Sequence, residues 1–215
     1  MSNTHTSSFD ASCRRCPRLS RFLQDVRKQH PDYHAAPVPP FGAARPRLLI
    51  VGLAPGMHGA NATGRPFTGD YAGILLYESL YKLGLSNRPE SVSADDGLKL
   101  KGCRITNAVK CLPPGNKPTG DEINCCNGFL ANELAGLPKR TVILALGLVA
   151  HNAVLKAQGE RQSAYKFAHG ASHTMSDGRQ LVDSYHCSRY NTQTRRLTEK
   201  MFLDVLRQAH ALSQQ

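Results

Sequence analysis

Few residues in this 215-residue chain carry side chains suited to chemistry, and they lie far apart. The run Gly52 to Asp70 reads GLAPGMHGANATGRPFTGD and holds a single carboxylate, Asp70. Such a carboxylate can orient a water molecule, or it can cap the next helix through its side-chain oxygen. Asn107 offers an amide donor and acceptor together, the pair needed to read a flat heterocycle, although an Asn also commonly ends a strand. His186 alone reads as an ordinary satisfied histidine. Seven cysteines stand at 13, 16, 103, 111, 125, 126 and 187. Their odd number, with no basic-then-apolar leader at the N-terminus, argues against a disulfide framework and for metal ligation or free thiols. Cys13-x-x-Cys16, closed by Pro17, is by itself either a redox pair or half of a zinc site.

The elements around these residues read as an α/β domain. The apolar run 47–51 predicts a buried strand feeding the glycine-rich loop, so the loop's backbone N–H groups face the carboxyl edge of a sheet, where such folds bind ligands. Glycines at 52, 56, 59, 64 and 69 allow close approach of a ligand, while Pro55 and Pro66 stiffen the segment. The spacing fits neither G-x-x-x-x-G-K-[ST] nor G-x-G-x-x-G, which speaks against a nucleotide cofactor. Nineteen residues without a helix pattern exceed an ordinary crossover loop.

Three further strands are expected at 103–109, 141–146 and 181–185. Helices are expected at 18–29, from about 74 to 83, from Thr119 or Asp121 to about 134, at 147–156, and as one basic amphipathic helix over 194–212. The proline-rich run 30–47 reads as an extended linker, 86–101 as surface loop and 158–179 as a hairpin or loop. The predicted architecture is a four-stranded parallel sheet with helices on both faces, one domain over residues 12–215, preceded by a frayed tail at 1–11. With 27 Lys and Arg against 16 Asp and Glu, the net charge of +11 favours a polyanionic partner. No apolar run reaches the length of a membrane span, so a cytoplasmic protein without membrane association is expected, and a monomer is assumed.

The loop from Gly52-Leu53-Ala54-Pro55-Gly56 to Thr63-Gly64-Arg65-Pro66-Phe67-Thr68-Gly69-Asp70 resembles the first motif of the uracil-DNA glycosylase superfamily, in the form found in its family 5 (B-type) enzymes. His186-Cys187-Ser188-Arg189-Tyr190-Asn191 is similar to the His-x-Ser-x-x-Asn motif. Asn107-Ala108-Val109-Lys110-Cys111 is like the Asn-x-Val-Lys-Cys segment of the iron–sulfur-containing members. The three occur in the family's order and span most of the chain.

The resemblance implies an enzyme that flips uracil, and other deaminated or damaged bases, out of DNA and hydrolyses the N-glycosidic bond. His186 would hydrogen-bond the base oxygen on which negative charge develops, and Asn107 would read uracil O4 and N3–H. Phe67 would stack on the base, in a pocket built with Gly52, Ala54, Pro55 and Gly56. Ala54 replaces the polar, water-activating residue of better-known members, which moves the catalytic role to Asp70 and speaks against the family 4 type. Ser188, Arg189, Tyr190 and Asn191 would meet the DNA, with Tyr190 as wedge. Cys187 stands where a proline is often found. Lys110, Arg195, Arg196 and Lys200 are candidate phosphate contacts. The resemblance also implies a [4Fe-4S] cluster on Cys13, Cys16, Cys111 and Cys126, the last selected over Cys125 by Phe129-Leu130; zinc on the same thiolates is the rival. The cluster would be structural. The competing classes are a non-catalytic zinc- or cluster-bearing nucleic-acid-binding module, which leaves Asp70 and His186 unexplained, and a metal-dependent redox protein, which leaves the charge unexplained.

Overall fold

The computed structural model describes residues 7–215, so the first six residues of the expected tail lie outside the description. Residues 7–11 run beside the body of the protein, where the Asn132 amide donates to the Ser7 carbonyl at 3.0 Å.

The sheet consists of β1 (Phe41–Gly42), β2 (Leu48–Gly52), β3 (Cys103–Asn107), β4 (Val142–Leu146), β5 (Ser172–Thr174) and β6 (Gln180–Ser184), in the order β1-β3-β2-β4-β6-β5. The four expected strands form its parallel centre, with Ile50 opposite both Ile105 and Leu144, and Leu144 opposite Val182. The sheet is wider than expected, because β1 and β5 add antiparallel edges to β3 and β6. At two and three residues they are too short to carry a period.

Seven helices complete the described fold: α1 (Pro17–Gln29), α2 (Ala60–Thr63), α3 (Tyr71–Lys82), α4 (Gly120–Ala135), α5 (Leu148–Ala157), α6 (Arg189–Gln193) and α7 (Glu199–Leu212). Every residue of β2 and β4 is buried, which explains their unbroken apolar runs. Leu48 and Ile50 pack with Leu76 and Leu80 of α3 and Phe202 and Leu206 of α7. Leu49 and Val51 pack on the other face with Leu130 and Leu134 of α4 and Val154 of α5. Helices therefore cover both faces, and none among the described residues is long and apolar enough to cross a membrane.

Three local expectations need correction. The glycine-rich stretch contains a one-turn helix, α2, ended by Gly64 at φ 76°. The predicted 194–212 helix starts only at Glu199, because Arg195 sits at φ 57° in a turn after α6 and Thr198 starts α7 by accepting the Met201 N–H at 3.2 Å. The 30–47 linker contributes β1. Of the two proposed caps for α4, Thr119 performs the task in a reciprocal pair with Glu122.

Because β3 and β4 flank β2 on opposite sides, the chain reverses direction across the sheet at the carboxyl end of β2. The crevice of an open α/β sheet lies at such a point. The loop 52–70 leaves β2 there.

Candidate active site

Gly52 and Asn107 end β2 and β3 opposite each other. A Cβ on Gly52 would lie 2.4 Å from Asn107 Oδ1 and 2.6 Å from Phe67 Cζ, so only glycine lets the amide and the ring converge over the sheet edge. Asn107 is 3% exposed, and its Oδ1 has no hydrogen-bond partner. An unpaired buried acceptor is costly and rare, and marks a position where a ligand donor belongs.

Phe67 sits at φ 56°, a backbone region that a bulky side chain seldom adopts. Its surroundings enforce it. The Tyr77 hydroxyl donates to the Pro66 carbonyl at 2.7 Å, and buried Arg65 reaches Thr68 Oγ1 at 3.0 Å, Ser91 Oγ at 2.7 Å and Asp96 Oδ2 at 2.5 Å. Gly73, on the first turn of α3, abuts the Phe67 carbonyl so closely that an added Cβ would come within 1.8 Å of its oxygen. Gly73→Ala is therefore expected to cost about 1–3 kcal/mol of stability, visible as a melting temperature lowered by several degrees.

The Phe67 ring stacks on the His186 imidazole, with centroids 6.0 Å apart and planes at 28°. His186 follows β6, and Gly147 (φ 95°) approaches its Cβ, so that a Cβ on Gly147 would lie at 3.4 Å. Burial of the ring pushes its pKa down to about 4, which leaves the imidazole neutral at neutral pH. A neutral imidazole still donates one hydrogen bond.

Asp70 is the N-cap of α3, with Oδ1 accepting the Gly73 N–H at 2.9 Å. Its Oδ2 points toward Gly56 and Gly59, where added Cβ atoms would lie at 3.5 and 2.5 Å. One carboxylate thus holds the helix while its second oxygen faces the loop backbone. Burial pushes its pKa up, against the pull of the Gly73 and Ala72 N–H groups. Pro55 stands beside these glycines at a buried position, whereas Ala54 packs against the cluster of Cys126 and Phe129.

The motif after His186 folds onto itself. Asn191 Nδ2 donates to the His186 carbonyl at 2.8 Å, and Ser188 Oγ caps α6 by accepting the Asn191 N–H at 3.4 Å. These two side chains hold the loop, while Arg189 and Tyr190 face outward, Tyr190 being 70% exposed. The Arg189 guanidinium lies 5.9 Å from the ring of Tyr71, itself exposed at the start of α3. Cys187 is fully buried behind the loop.

Lys110 does not stand at the surface. Its Nζ donates to Thr106 Oγ1 at 2.5 Å and lies 3.5 Å from Glu133 Oε2, both buried, so it is not available for phosphate. Lys200 remains exposed, paired with Asp204 at 2.7 Å, and Arg196 lies over the Tyr185 ring at 4.7 Å.

Cys13, Cys16, Cys111 and Cys126 come together against Leu19, Val109 and Phe129, although the first pair is more than ninety residues from the second. Cys125 lines the same cavity. Burial, reinforced by neighbouring cysteines, pushes the Cys16 and Cys111 thiols up to about 12. A bound metal cation would reverse that balance, so the donor set suits a metal. Arg15 lies 4.2 Å over the Phe129 ring beside Cys13, and the Lys110 N–H donates to Cys126 Sγ at 3.3 Å. Cys103 is buried separately on β3, with Sγ facing the Leu85 carbonyl.

Gly73, Tyr71, Tyr77 and Gly147 are site residues that sequence reasoning missed. Among them only Gly147, opening a helix directly after a strand, left a signal in the sequence.

The family model of the uracil DNA glycosylase superfamily matches residues 39–210. A type-5 uracil-DNA glycosylase of Thermus thermophilus is 49% identical over 207 residues, covering 94% of each chain. One of Pyrobaculum aerophilum is 44% identical over 204 residues, 93% of this chain and 88% of its own. A type-4 uracil-DNA glycosylase from that organism matches over only 130 residues, 60% of this chain, at 36% identity. The family model and these relatives place this chain in the uracil-DNA glycosylase superfamily, among its type-5 members.

Proposed function

We propose that the protein is a monofunctional DNA-repair glycosylase that draws uracil out of DNA and hydrolyses its N-glycosidic bond. The observation that carries this reading is the unpaired Oδ1 of buried Asn107, beside an aromatic ring and a neutral histidine. Uracil N3–H would supply the missing donor, and Asn107 Nδ2 would donate to O4. Cytosine presents an acceptor at N3 and would leave Oδ1 facing another lone pair, so the same amide discriminates against the normal base.

In this reading the flipped base stacks on Phe67, and His186 donates to the base carbonyl oxygen that gains negative charge as the bond breaks. Asp70 Oδ2 orients the attacking water and opposes the positive charge developing on the sugar. Arg189 and Tyr190 enter the duplex from the rim, and the positive surface holds the phosphates. Lys110, the lysine of the motif after β3, is tied to Thr106 and Glu133 and so is not free to attack the sugar. The test is a duplex carrying one uracil, incubated with the protein and then treated with alkali. A break at the uracil supports the reading, and intact strands despite binding reduce the protein to a nucleic-acid-binding module.

Cys13, Cys16, Cys111 and Cys126 would hold a [4Fe-4S] cluster that pins the N-terminal segment and α1 to the loop after β3. When bound it would supply four metal–thiolate bonds to the fold, and the hydrolysis needs no electron from it. Zinc on the same four thiolates is the rival, and metal content separates the two. Cys111→Ser is expected to lose brown colour and iron and to lower the melting temperature. A colourless wild-type protein containing zinc would overturn the cluster.

A further inference from the structure

Outside the base pocket and the cysteine group, three side chains of different elements converge: His151 of α5, His173 of β5 and Asp183 of β6. Asp183 lies on the face of β6 shared with Leu181, and its carboxylate is fully buried. His151 Nδ1 lies 2.8 Å from Asp183 Oδ1, and His173 Nε2 lies 3.2 Å from Oδ2. One ligand atom from each residue fits within 4.8 Å of the others.

The other nitrogen of His151 constrains the chemistry. Nε2 lies 3.0 Å from the Tyr165 carbonyl oxygen, which can only accept, so Nε2 carries hydrogen. A neutral imidazole then has a lone pair on Nδ1, aimed at a carboxylate oxygen. Two lone pairs do not sit 2.8 Å apart without a cation between them, either a second proton or a metal ion. A histidine that ligates metal through one nitrogen and donates to a backbone carbonyl through the other has the usual outer-shell arrangement.

We propose that His151 Nδ1, His173 Nε2 and the Asp183 carboxylate form a binding site for a divalent transition-metal ion, separate from the cysteines and the base pocket. Two imidazole nitrogens and a carboxylate suit divalent ions such as nickel, ferrous iron or zinc. Two histidines on one carboxylate are more than a single bridging proton needs. Phe167, with its ring 5.6 Å from that of His151, shields one side. The ion would clip α5, the segment carrying Tyr165, and β5 onto β6, three residues before His186.

The test titrates Ni²⁺ alone into the cluster-intact protein, freed of adventitious metal, by calorimetry in two buffers of different ionisation heat. Expected are one saturable equivalent per chain, release of about one proton per ion, and a higher melting temperature. In His173→Ala, a partly exposed edge position whose loss the fold tolerates, binding should weaken at least ~10-fold with iron content unchanged. Asp183→Asn should weaken it similarly. Absence of saturable binding, or equal binding in wild type and His173→Ala, would overturn the site and leave His151 and Asp183 as a buried ion pair.

Discussion

Asp70→Asn is expected to slow uracil release by about 10²–10³-fold while moving the melting temperature by no more than a degree or two. The separation is possible because the two carboxylate oxygens have different neighbours. Oδ1 accepts the Gly73 N–H, a task an Asn side chain performs about equally well at an N-cap. Oδ2 faces Gly56 and Gly59, and there an amide would bring either a donor or a neutral oxygen in place of negative charge. Measuring single-turnover release and thermal unfolding on the same preparation checks both halves. Lower stability with unimpaired release would assign Asp70 to the helix alone.

His186→Ala should reduce uracil release by about 10²–10³-fold, the usual loss when one preorganised donor to a developing anion is removed. The pH dependence carries the sharper information. An ordinary histidine would titrate near 6.5, but burial holds His186 near 4. The wild-type rate should therefore show no inflection from this group between pH 5 and 8 and should lose the neutral donor only near pH 4. The linkage has a definite sign. Between 6.5 and about 4 the unfolded chain binds a proton at His186 that the folded chain does not, so stability falls as pH is lowered through that window. That part of the acid destabilisation should be absent in His186→Ala, as acid-induced unfolding of both proteins would show.

The parallel strands were legible because both faces of β2 and β4 are covered, which leaves continuous apolar runs in the sequence. The edges β1 and β5 owe their conformation to neighbouring strands, and nothing within two or three residues announces them. The basic pattern over 194–212 concealed a chain break that Thr198, a cap residue before Glu199, could have signalled. In the pocket, Asp70, Asn107, Phe67 and His186 were legible through their motifs, and the structure brings the last three together with Gly52. The close approaches at Gly52 and Gly73 arise only when distant segments meet, so no local pattern encodes them. The same holds for Lys110, whose burial depends on Glu133, a residue on the helix packed over β3. Cys125 and Cys126 both line one cavity, which adjacent positions at the start of a helix could not have told apart.

The most direct measurement is chromatographic detection of free base released from duplexes containing a single uracil, compared for wild type, Asp70→Asn, His186→Ala and an undamaged cytosine control. The account predicts one uracil released per abasic site by wild type, none from the control, and release slowed at least ~100-fold in both folded variants. Wild-type protein that binds the duplex without freeing uracil, or variants that free it at the wild-type rate, would contradict the assignment of this pocket as the catalytic centre.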